Sequence, residues 1–388
     1  MNPEEWISGA LEQDRECHLE RSLSVYGESG GIIADVGARL LNLSSNNYLD
    51  LLHHPLLIQA ACEAIERYGT GAGASRLVSG NLPIHEELEA ALATAKGYPA
   101  ALVFGSGFLA NVGIVTACVG RDDTVFADRL VHASLIDGIV QSRATLKRFN
   151  HNDVNHLADL MRKDQRTGRR LVITESVFSM DGDLAPLLPI AEVCREYDAM
   201  LMVDEAHATG LFGPLGAGRV DELKLQSAVN LSAGTLSKAL AGYGGYVACS
   251  NAMRNWLINR ARTFIYSTAI PPGVVAAAYA SLRILREDPT RGSMVLQRAR
   301  TFRHRLQEEG FDTLESQSQI IPVLIGDNER TLRIAKRLLG DGIVAIAIRP
   351  PTVPEGTARL RLSITFAHTD EDLDRAAEAI ARAIHETK

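Results

Sequence analysis

Short apolar runs alternate with longer segments of mixed polarity through the middle of the chain. Each run is about as long as one buried strand, and the segments between the runs are long enough for a helix. The predicted strands are 101–104, 124–127, 146–149, 171–174, 200–203, 229–231 and 246–249. Strands that are joined by helices form parallel sheets with helices on both faces. The sequence therefore predicts an α/β fold with a mainly parallel sheet.

Two smaller parts are predicted to flank this sheet. Residues 1–45 predict a helix that begins at Pro3 and ends near Leu23, followed by a small hairpin around Gly37. Residues 46–286 form the predicted large domain, and 287–388 a smaller α+β domain. The elements predicted for this smaller domain are a helix to 309, a strand 320–325, a helix 329–339, strands 343–348 and 360–364, and a helix from 370.

Composition excludes several classes of protein. The 388 residues are 46% hydrophobic, which is ample for a large and a small core. The net charge of −7 and the lack of a strong basic block argue against nucleic acid and anionic membranes as partners. The five cysteines are scattered without a C-x-x-C pair, as in reduced thiols. No apolar run approaches the ~20 residues of a membrane span. We therefore expect a cytoplasmic protein.

Four chemically distinct side chains follow two neighbouring predicted strands. Asp204 and His207 come after the strand 200–203, and Thr235 and Lys238 come after 229–231. Ligands of open α/β sheets bind where strands end. Pyridoxal phosphate (PLP) needs a lysine amine for its Schiff base and a carboxylate that keeps its ring nitrogen protonated. Taken singly, each residue is better explained as a turn or surface residue. As an ordered set they predict a PLP site.

The strand 101–104 runs into a second feature of such a site. Gly105, Ser106, Gly107 and Phe108 open a helix there, and the free N–H groups of a helix N-terminus bind anions. An ordinary strand–helix turn explains the same residues equally well. If the set of strand-end residues binds PLP, this turn is the best candidate in the chain for its phosphate.

Two other patterns suggest ligands without predicting them. Residues 69–76 are rich in glycine, but no strand precedes them, so they are not a dinucleotide-binding fingerprint. They more plausibly let backbone approach a ligand or a second subunit closely. His151 and His156 lack further ligands at a metal-binding spacing, and Asp181 and Asp183 lack the rest of a calcium loop. We therefore predict no metal site.

The ordered residues identify a resemblance to a known family. The stretch Asp-Glu-Ala-His at 204–207, followed by Gly-Thr-Leu-Ser-Lys-Ala at 234–239, resembles the α-oxoamine synthases. The resemblance extends over nearly the whole chain. It implies a PLP-dependent transferase of the aspartate-aminotransferase fold (fold type I). It also implies an acyltransferase reaction, in which an amino acid and an acyl thioester condense with loss of carbon dioxide.

The resemblance implies roles for individual residues. Lys238 is the Schiff-base lysine and the base, Asp204 holds the ring nitrogen, and His132 stacks on the ring and contacts substrate. The remaining cofactor residues it implies are Ser106, Gly107, Phe108, Ser179, His207 and Thr235. The substrate residues it implies are Arg21, which faces the acyl group, and Asn46, Arg349 and Thr352, with Arg349 as a fork for a carboxylate. The family motif Ser-Asn-Asp-Tyr-Leu-Gly corresponds to residues 45–50, where Asn47 replaces the aspartate and Asp50 the glycine.

Within the family, three stretches point to the members of biotin biosynthesis, which join L-alanine to a pimeloyl thioester. These stretches are 148–154, 176–183 and 347–354. The acyl carrier can be coenzyme A or acyl carrier protein. Members that use glycine or serine remain alternatives, such as the 2-amino-3-ketobutyrate ligases, aminolevulinate synthases and serine palmitoyltransferases. A PLP-fold regulatory module is disfavoured because Lys238, Asp204 and His132 are all present. The resemblance also implies a homodimer.

Overall fold

The structure is a computed structural model that describes residues 4–27, 30–35 and 38–387. The described residues form two compact units. The terminal unit comprises the described residues within Met1–Asn46, Met180–Gly182 and Val295–Lys388. The central unit comprises Asn47–Ser179 and Asp183–Met294. The N-terminal segment and the C-terminal residues thus share one unit.

The described residues form the following helices and strands. The helices are α1 Glu5–Glu16, α2 Pro55–Tyr68, α3 Pro83–Lys96, α4 Gly107–Cys118, α5 Ala133–Ser142, α6 Val154–Arg162, α7 Leu187–Glu196, α8 Arg219–Glu222, α9 Asn251–Arg260, α10 Arg262–Ile265, α11 Pro272–Glu287, α12 Thr290–Glu308, α13 Asn328–Gly340 and α14 Asp370–Glu386. The strands are β1 Ile32–Asp35, β2 Ala38–Asn42, β3 Ala100–Phe104, β4 Thr124–Asp128, β5 Thr145–Phe149, β6 Arg170–Glu175, β7 Met200–Asp204, β8 Leu231–Thr235, β9 Gly245–Cys249, β10 Ile320–Gly326, β11 Ile343–Val344, β12 Ile346–Ile348 and β13 Ala358–Ser363.

A seven-stranded sheet forms the centre of the central unit. Its strand order is β3-β9-β8-β7-β6-β4-β5. Every neighbouring pair is parallel except the two pairs that involve β9. The prediction of a mainly parallel α/β sheet is confirmed.

Alternate residues of the inner strands pack into two separate cores. Leu171 and Ile173 of β6 join the core formed with α4, α5 and α9, whereas Val172 between them joins the core formed with α6 and α7. Successive side chains of a strand point to opposite faces, so a strand that is apolar throughout must be covered on both faces. The continuous apolar runs of the sequence have this physical cause.

One predicted strand of the central unit is displaced. The sequence favours 229–231, but β8 begins at Leu231 and ends at Thr235. The polar side chains of Ser232 and Thr235 favour a loop in the sequence pattern. In the structure all five residues of β8 are buried. Pairing with β7 and β9 satisfies the backbone here and overrides the weak local pattern. Thr235 is therefore the last residue of a strand, and only Lys238 lies in the following loop.

The terminal unit contains two three-stranded sheets, β1-β2-β11 and β10-β13-β12. The single strand predicted at 343–348 is wrong, because the chain leaves one sheet and enters the other at Ala345. β11 pairs with β2 in parallel, and β12 pairs with β13 antiparallel. Apolar residues continue through the change of sheet, so the sequence carries no mark of it.

The N-terminal helix is shorter than predicted. α1 ends at Glu16, and His18 adopts a left-handed backbone conformation with φ of 55°. α1 has no buried residue within this chain, so little holds further turns in place. The predicted hairpin is confirmed by the antiparallel pairing of β1 with β2. Pro3 and Gly37 lie outside the described residues. Among the residues that are described, no helix is both long and apolar enough to cross a membrane.

Candidate active site

A cavity of about 210 Å³ lies at the carboxyl ends of the parallel strands of the central unit. Its walls contain every predicted cofactor residue except Ser106 and Ser179. They also contain polar residues for which the sequence suggested no role, namely Asn111, Ser134, Glu175 and Ser237. Because β4, β6, β7 and β8 are parallel neighbours, residues far apart in the chain meet at this edge of the sheet.

Asp204 ends β7 and is only 7% exposed. Its Oδ2 accepts a hydrogen bond of 2.8 Å from Nδ2 of Asn111, and its Oδ1 accepts one of 2.9 Å from the backbone N–H of Ala206. Both oxygens of the carboxylate are thus oriented by donors. A buried carboxylate held in this way can bind a protonated ring nitrogen.

His132 is the N-cap of α5 and follows β4. Its Nδ1 lies 2.7 Å from Oγ of Ser134 and accepts the backbone N–H of the same serine at 3.2 Å. Burial lowers the pKa of His132, and the nearby Lys238 lowers that pKa further against the opposing effect of Asp204. His132 is therefore held as a neutral ring at neutral pH.

Glu175 ends β6 and is fully buried next to these groups. Its Oε1 accepts the backbone N–H of His132 at 2.6 Å. Burial, and then the negative charge of Asp204, raise the pKa of Glu175 well above its ordinary value. Sequence reasoning missed this residue, although it stands at a strand end between predicted site residues.

Lys238 lies in the loop after β8, with its Nζ 2.7 Å from Nε2 of His207. The other ring nitrogen of His207 lies 2.7 Å from the hydroxyl of the buried Tyr48. The hydroxyl of Thr235 donates to the carbonyl of Gly244 at 2.8 Å and so ties the end of β8 to the start of β9. The lysine amine is thereby placed beside an imidazole within the cavity.

The N-terminus of α4 lies in the wall of the cavity. The hydroxyl of Ser106 accepts the backbone N–H of Leu109 at 3.1 Å and caps this helix, and Gly107 and Phe108 line the cavity. A Cβ at Gly107 would lie 3.4 Å from the Thr235 side chain, so the start of α4 and the end of β8 are close neighbours here. The first N–H groups of a helix have no partners within it and attract phosphate.

The functional groups of this cavity fit PLP. A lysine amine, a buried carboxylate, a neutral imidazole and a helix N-terminus line one cavity. In the same order, these groups are of the kinds that bind the aldehyde, the ring nitrogen, the ring face and the phosphate of PLP.

Comparison with known proteins agrees with this chemistry. The family model described as aminotransferase class I and II matches residues 38–380. Over 381 residues the chain is 50% identical to the 8-amino-7-oxononanoate synthase of Geobacter sulfurreducens, covering 97% of each chain. It is 46% identical to that of Geobacter metallireducens over 93% of each.

The chain belongs to the 8-amino-7-oxononanoate synthase family.

Solved structures of related enzymes share its fold. The serine palmitoyltransferase of S. paucimobilis, with bound PLP-myriocin aldimine, matches with a TM-score of 0.93 and 30% identity over 99% of this chain and 98% of that one. The 8-amino-7-oxononanoate synthase of Francisella tularensis matches with a TM-score of 0.77 and 27% identity over 89% of this chain and 98% of its own. The fold is that of the PLP-dependent transferases, and PLP is the cofactor.

Ser179 and four of the predicted substrate residues lie outside the walls of the cavity, whereas the fifth, His132, lines it. Ser179 is buried in the loop after β6, within the central unit. Asn46, Arg21 and Thr352 are exposed residues of the terminal unit, to which Arg349 also belongs.

Arg349 lies close to Arg21 within the terminal unit. Its guanidinium donates to the backbone carbonyls of His18 and Glu20. Burial, and then the positive charge of Arg21, lower the pKa of Arg349. The two guanidinium groups are therefore close enough to affect each other's charge.

The two departures from the family motif contact each other. Nδ2 of Asn47 lies 3.4 Å from Oδ1 of Asp50. Oδ1 of the same asparagine accepts the backbone N–H of Leu51 at 3.0 Å. Asp50 has a φ of 55°, a conformation in which glycine is favoured and aspartate is tolerated. The glycine of the motif is explained by this backbone conformation.

The glycine-rich segment 69–76 has a partner within its own unit. Ser75 forms an isolated bridge with Thr268, and the carbonyl of Ala74 accepts the N–H of Ala269 at 3.0 Å. Arg76 pairs with the buried Glu89 at 2.9 Å. The C-terminal end of the segment is therefore paired within its own unit.

His151 connects two carboxylates near the cavity. Its Nδ1 lies 3.0 Å from Asp128 and its Nε2 lies 2.8 Å from Asp183. Burial alone lowers the pKa of His151, but hydrogen bonds to the two carboxylates outweigh this effect and raise the pKa to about 10. The ring packs edge-on against Phe178 at 4.4 Å. The motif at 148–154 therefore supplies an imidazolium that ties the end of β4 to the segment after Ser179.

Proposed function

We propose that this protein condenses L-alanine with a pimeloyl thioester, releasing carbon dioxide and the free thiol carrier and forming 8-amino-7-oxononanoate in biotin biosynthesis. The observation that carries this proposal is a PLP-type cavity in a chain 50% identical over 97% of its length to a named 8-amino-7-oxononanoate synthase. The cavity supports the chemistry, and the relatives support the choice of substrates.

Each residue of the cavity has a separate role in the proposed reaction. PLP, when bound, withdraws electrons from the Cα of the amino acid. Lys238 would hold the aldehyde of this cofactor, Asp204 its ring nitrogen and the N-terminus of α4 its phosphate. Nζ of Lys238 removes the proton from Cα and returns one after carbon dioxide has left. The Asp204 carboxylate preserves the positive charge on the ring nitrogen.

His207 supports the lysine during these proton transfers. Its imidazole lies between Nζ of Lys238 and the hydroxyl of Tyr48, at 2.7 Å from each. The tyrosine anchors the ring, and the ring orients the amine. Positioning of this kind reduces the entropy that the reaction must otherwise lose.

We assign recognition of acidic groups to the terminal unit. Arg349 and Arg21 place two positive charges near each other, and guanidinium groups bind carboxylates in a fork. A pimeloyl chain carries a distal carboxyl group and five methylenes. Burial of each methylene contributes about 0.8 kcal/mol, so an apolar acyl channel can select strongly for chain length.

A second candidate is a serine-dependent condensation with a long acyl group. The structural likeness to serine palmitoyltransferases, with TM-scores of 0.93 and 0.94, favours it. These proteins are only 30% and 29% identical to the chain, whereas the named 8-amino-7-oxononanoate synthases reach 50%. The alanine reaction is therefore preferred.

A product assay tests the proposal. Alanine, glycine and serine are each combined with acetyl, succinyl, pimeloyl and palmitoyl thioesters, on coenzyme A and on acyl carrier protein. We expect kcat/KM to be highest for alanine with a pimeloyl thioester. If glycine with acetyl or serine with palmitoyl is the best pair, the substrate assignment is wrong, although the PLP chemistry stands.

A further inference from the structure

Asn111 is a polar residue in the middle of an apolar helix. It lies one turn after Gly107 in α4, where eight of the twelve residues are buried, and is itself 4% exposed. Thr116, the other polar side chain of this helix, bonds only to backbone carbonyls of α4. Burying an amide is unfavourable unless it is hydrogen-bonded, so the partners of Asn111 indicate its purpose.

The amide nitrogen of Asn111 donates to two groups. It lies 2.8 Å from Oδ2 of Asp204 and 3.0 Å from Oγ of Ser134. An ionised carboxylate can only accept hydrogen bonds, so the NH₂ group and not the carbonyl oxygen of the amide must face Asp204. The orientation of Asn111 is therefore determined by chemistry.

Ser134 continues the same chain of hydrogen bonds. Its backbone N–H lies 3.2 Å from Nδ1 of His132, and a backbone N–H can only donate. Nδ1 therefore carries a lone pair. The serine hydroxyl, 2.7 Å from Nδ1, must direct its own hydrogen to that lone pair and receive the amide hydrogen of Asn111. The bonds from Asn111 to Ser134 and from Ser134 to His132 point the same way, which strengthens each of them, and the other amide hydrogen of Asn111 points to Asp204.

We propose that Asn111 is a positioning residue that orients the carboxylate of Asp204 and, through Ser134, holds His132 as a neutral imidazole with its proton on Nε2. This inference rests on the proposed function, because it assigns the two residues their tasks in that reaction. The amide of Asn111 thereby connects Asp204, which is assigned to the ring nitrogen of PLP, with His132, which is assigned to the face of the ring.

The tautomer has a chemical consequence. Protonation of Nδ1 would place a hydrogen against the backbone N–H of Ser134, which can only donate, and would force the hydroxyl of Ser134 to turn its own hydrogen away. The nearby groups act in opposite directions, since Asp204 and Asp137 favour a charged ring whereas burial and Lys238 oppose it. With Nδ1 occupied, Nε2–H is the hydrogen that His132 can donate to a molecule in the cavity.

Ring-nitrogen NMR of the PLP-loaded protein tests this assignment. The protein is produced with isotope-labelled histidine, and the His132→Gln variant identifies the signals of His132. At neutral pH we expect an unprotonated Nδ1 and a protonated Nε2. A protonated Nδ1 in the wild-type protein would overturn the proposal.

Variants of the network extend the test. Asn111→Leu keeps the size of the side chain but removes the donor, and Ser134→Ala removes the relay. We expect both to mix the two tautomers of His132. Asn111→Leu should also weaken PLP binding about tenfold or more, as measured by titration of cofactor-free protein, because one hydrogen bond to a charged group is lost. Thr116→Val, which alters the same helix outside the network, is the matched control and should change neither quantity.

Two outcomes would contradict the positioning role. The first is that Asn111→Leu keeps the wild-type tautomer of His132 and the wild-type affinity for PLP. The second applies if Asn111→Leu does not fold: it is an unchanged tautomer of His132 in Ser134→Ala, which is the more conservative change. The NMR and PLP titrations use neither alanine nor a thioester, so their failure is distinct from failure of the product assay.

Discussion

Nζ of Lys238 lies 2.7 Å from Nε2 of His207, so an amine in a loop is held against an imidazole that follows a different strand. The other nitrogen of that ring lies 2.7 Å from the hydroxyl of Tyr48, which is completely buried. The loop is therefore tied to a rigid part of the central unit. An amine oriented in this way is suited both to binding an aldehyde and to transferring a proton.

Replacement of Lys238 by alanine should abolish both product formation and covalent retention of PLP after borohydride reduction. The side chain is partly exposed, so we expect little change in the thermal stability of the cofactor-free protein. Mass spectrometry of the reduced protein locates the modified lysine. PLP trapped on another lysine in the wild-type protein would contradict the assignment.

Asp204→Asn should preserve the fold but slow exchange of the alanine Cα proton with solvent by several powers of ten. A neutral amide no longer stabilises a protonated ring nitrogen, and the loss is on the order of a few kcal/mol. Proton NMR in heavy water measures the exchange. Asp198→Asn is the matched control, because Asp198 is exposed just before β7 and its φ of 50° suits asparagine. Unchanged exchange in Asp204→Asn would refute its role.

His151→Gln should lower the free energy of unfolding by about 3 kcal/mol, since removing one partner leaves buried carboxylates uncompensated. Urea unfolding near neutral pH measures this difference. His304→Gln serves as the control, because His304 is exposed and pairs only with Glu308 in the following turn of α12. Equal losses in the two variants would show that the bridge of His151 contributes nothing specific.

The same bridge predicts a dependence of stability on pH. The pKa of His151 rises from 6.5 to about 10 on folding. A raised pKa means that the folded state binds a proton more tightly, so this contribution is complete below about pH 6.5 and is lost as the pH rises towards about 10. The difference in unfolding free energy between wild type and His151→Gln should shrink over that range. A difference that grows with pH would contradict the sign.

The protein should form a homodimer in solution. Leu77 and Val78 are 52% and 80% exposed directly after the glycine-rich segment, and exposed apolar side chains of this kind mark interfaces. Val78→Asp should shift the molecular mass from light scattering towards the monomer. Leu188→Asp, at a residue of α7 that is 50% exposed, is the control and should leave the mass unchanged. An active wild-type monomer would refute the prediction.

Much of the central unit could be predicted from local patterns. Buried parallel strands need apolar side chains on both faces, which gives short continuous runs such as 171–174. Their order along the chain, with Asp204 and His207 after one strand and Thr235 and Lys238 after the next, predicted a PLP site. The resemblance on residues 204–207 and 234–239 then specified the family.

Other features depend on contacts between distant residues. β8 continues to Thr235 because β7 and β9 pair with it. The chain changes sheets at Ala345 because β2 pairs with the residues before it and β13 pairs with the residues after it. Local propensity contains neither effect.

The sequence by itself determined the fold class and the cofactor and predicted which residues bear the chemistry, because these inferences depend on short-range periodicity and on residue type. Only the tertiary structure decided how those residues are held. Asn111 lies 93 positions from Asp204 in the chain, yet its amide is 2.8 Å from the carboxylate. Glu175 lies 43 positions from His132 and accepts its backbone N–H. Hydrogen bonds of this kind follow from the meeting of strand ends at one edge of a sheet, and no local pattern in the chain records them.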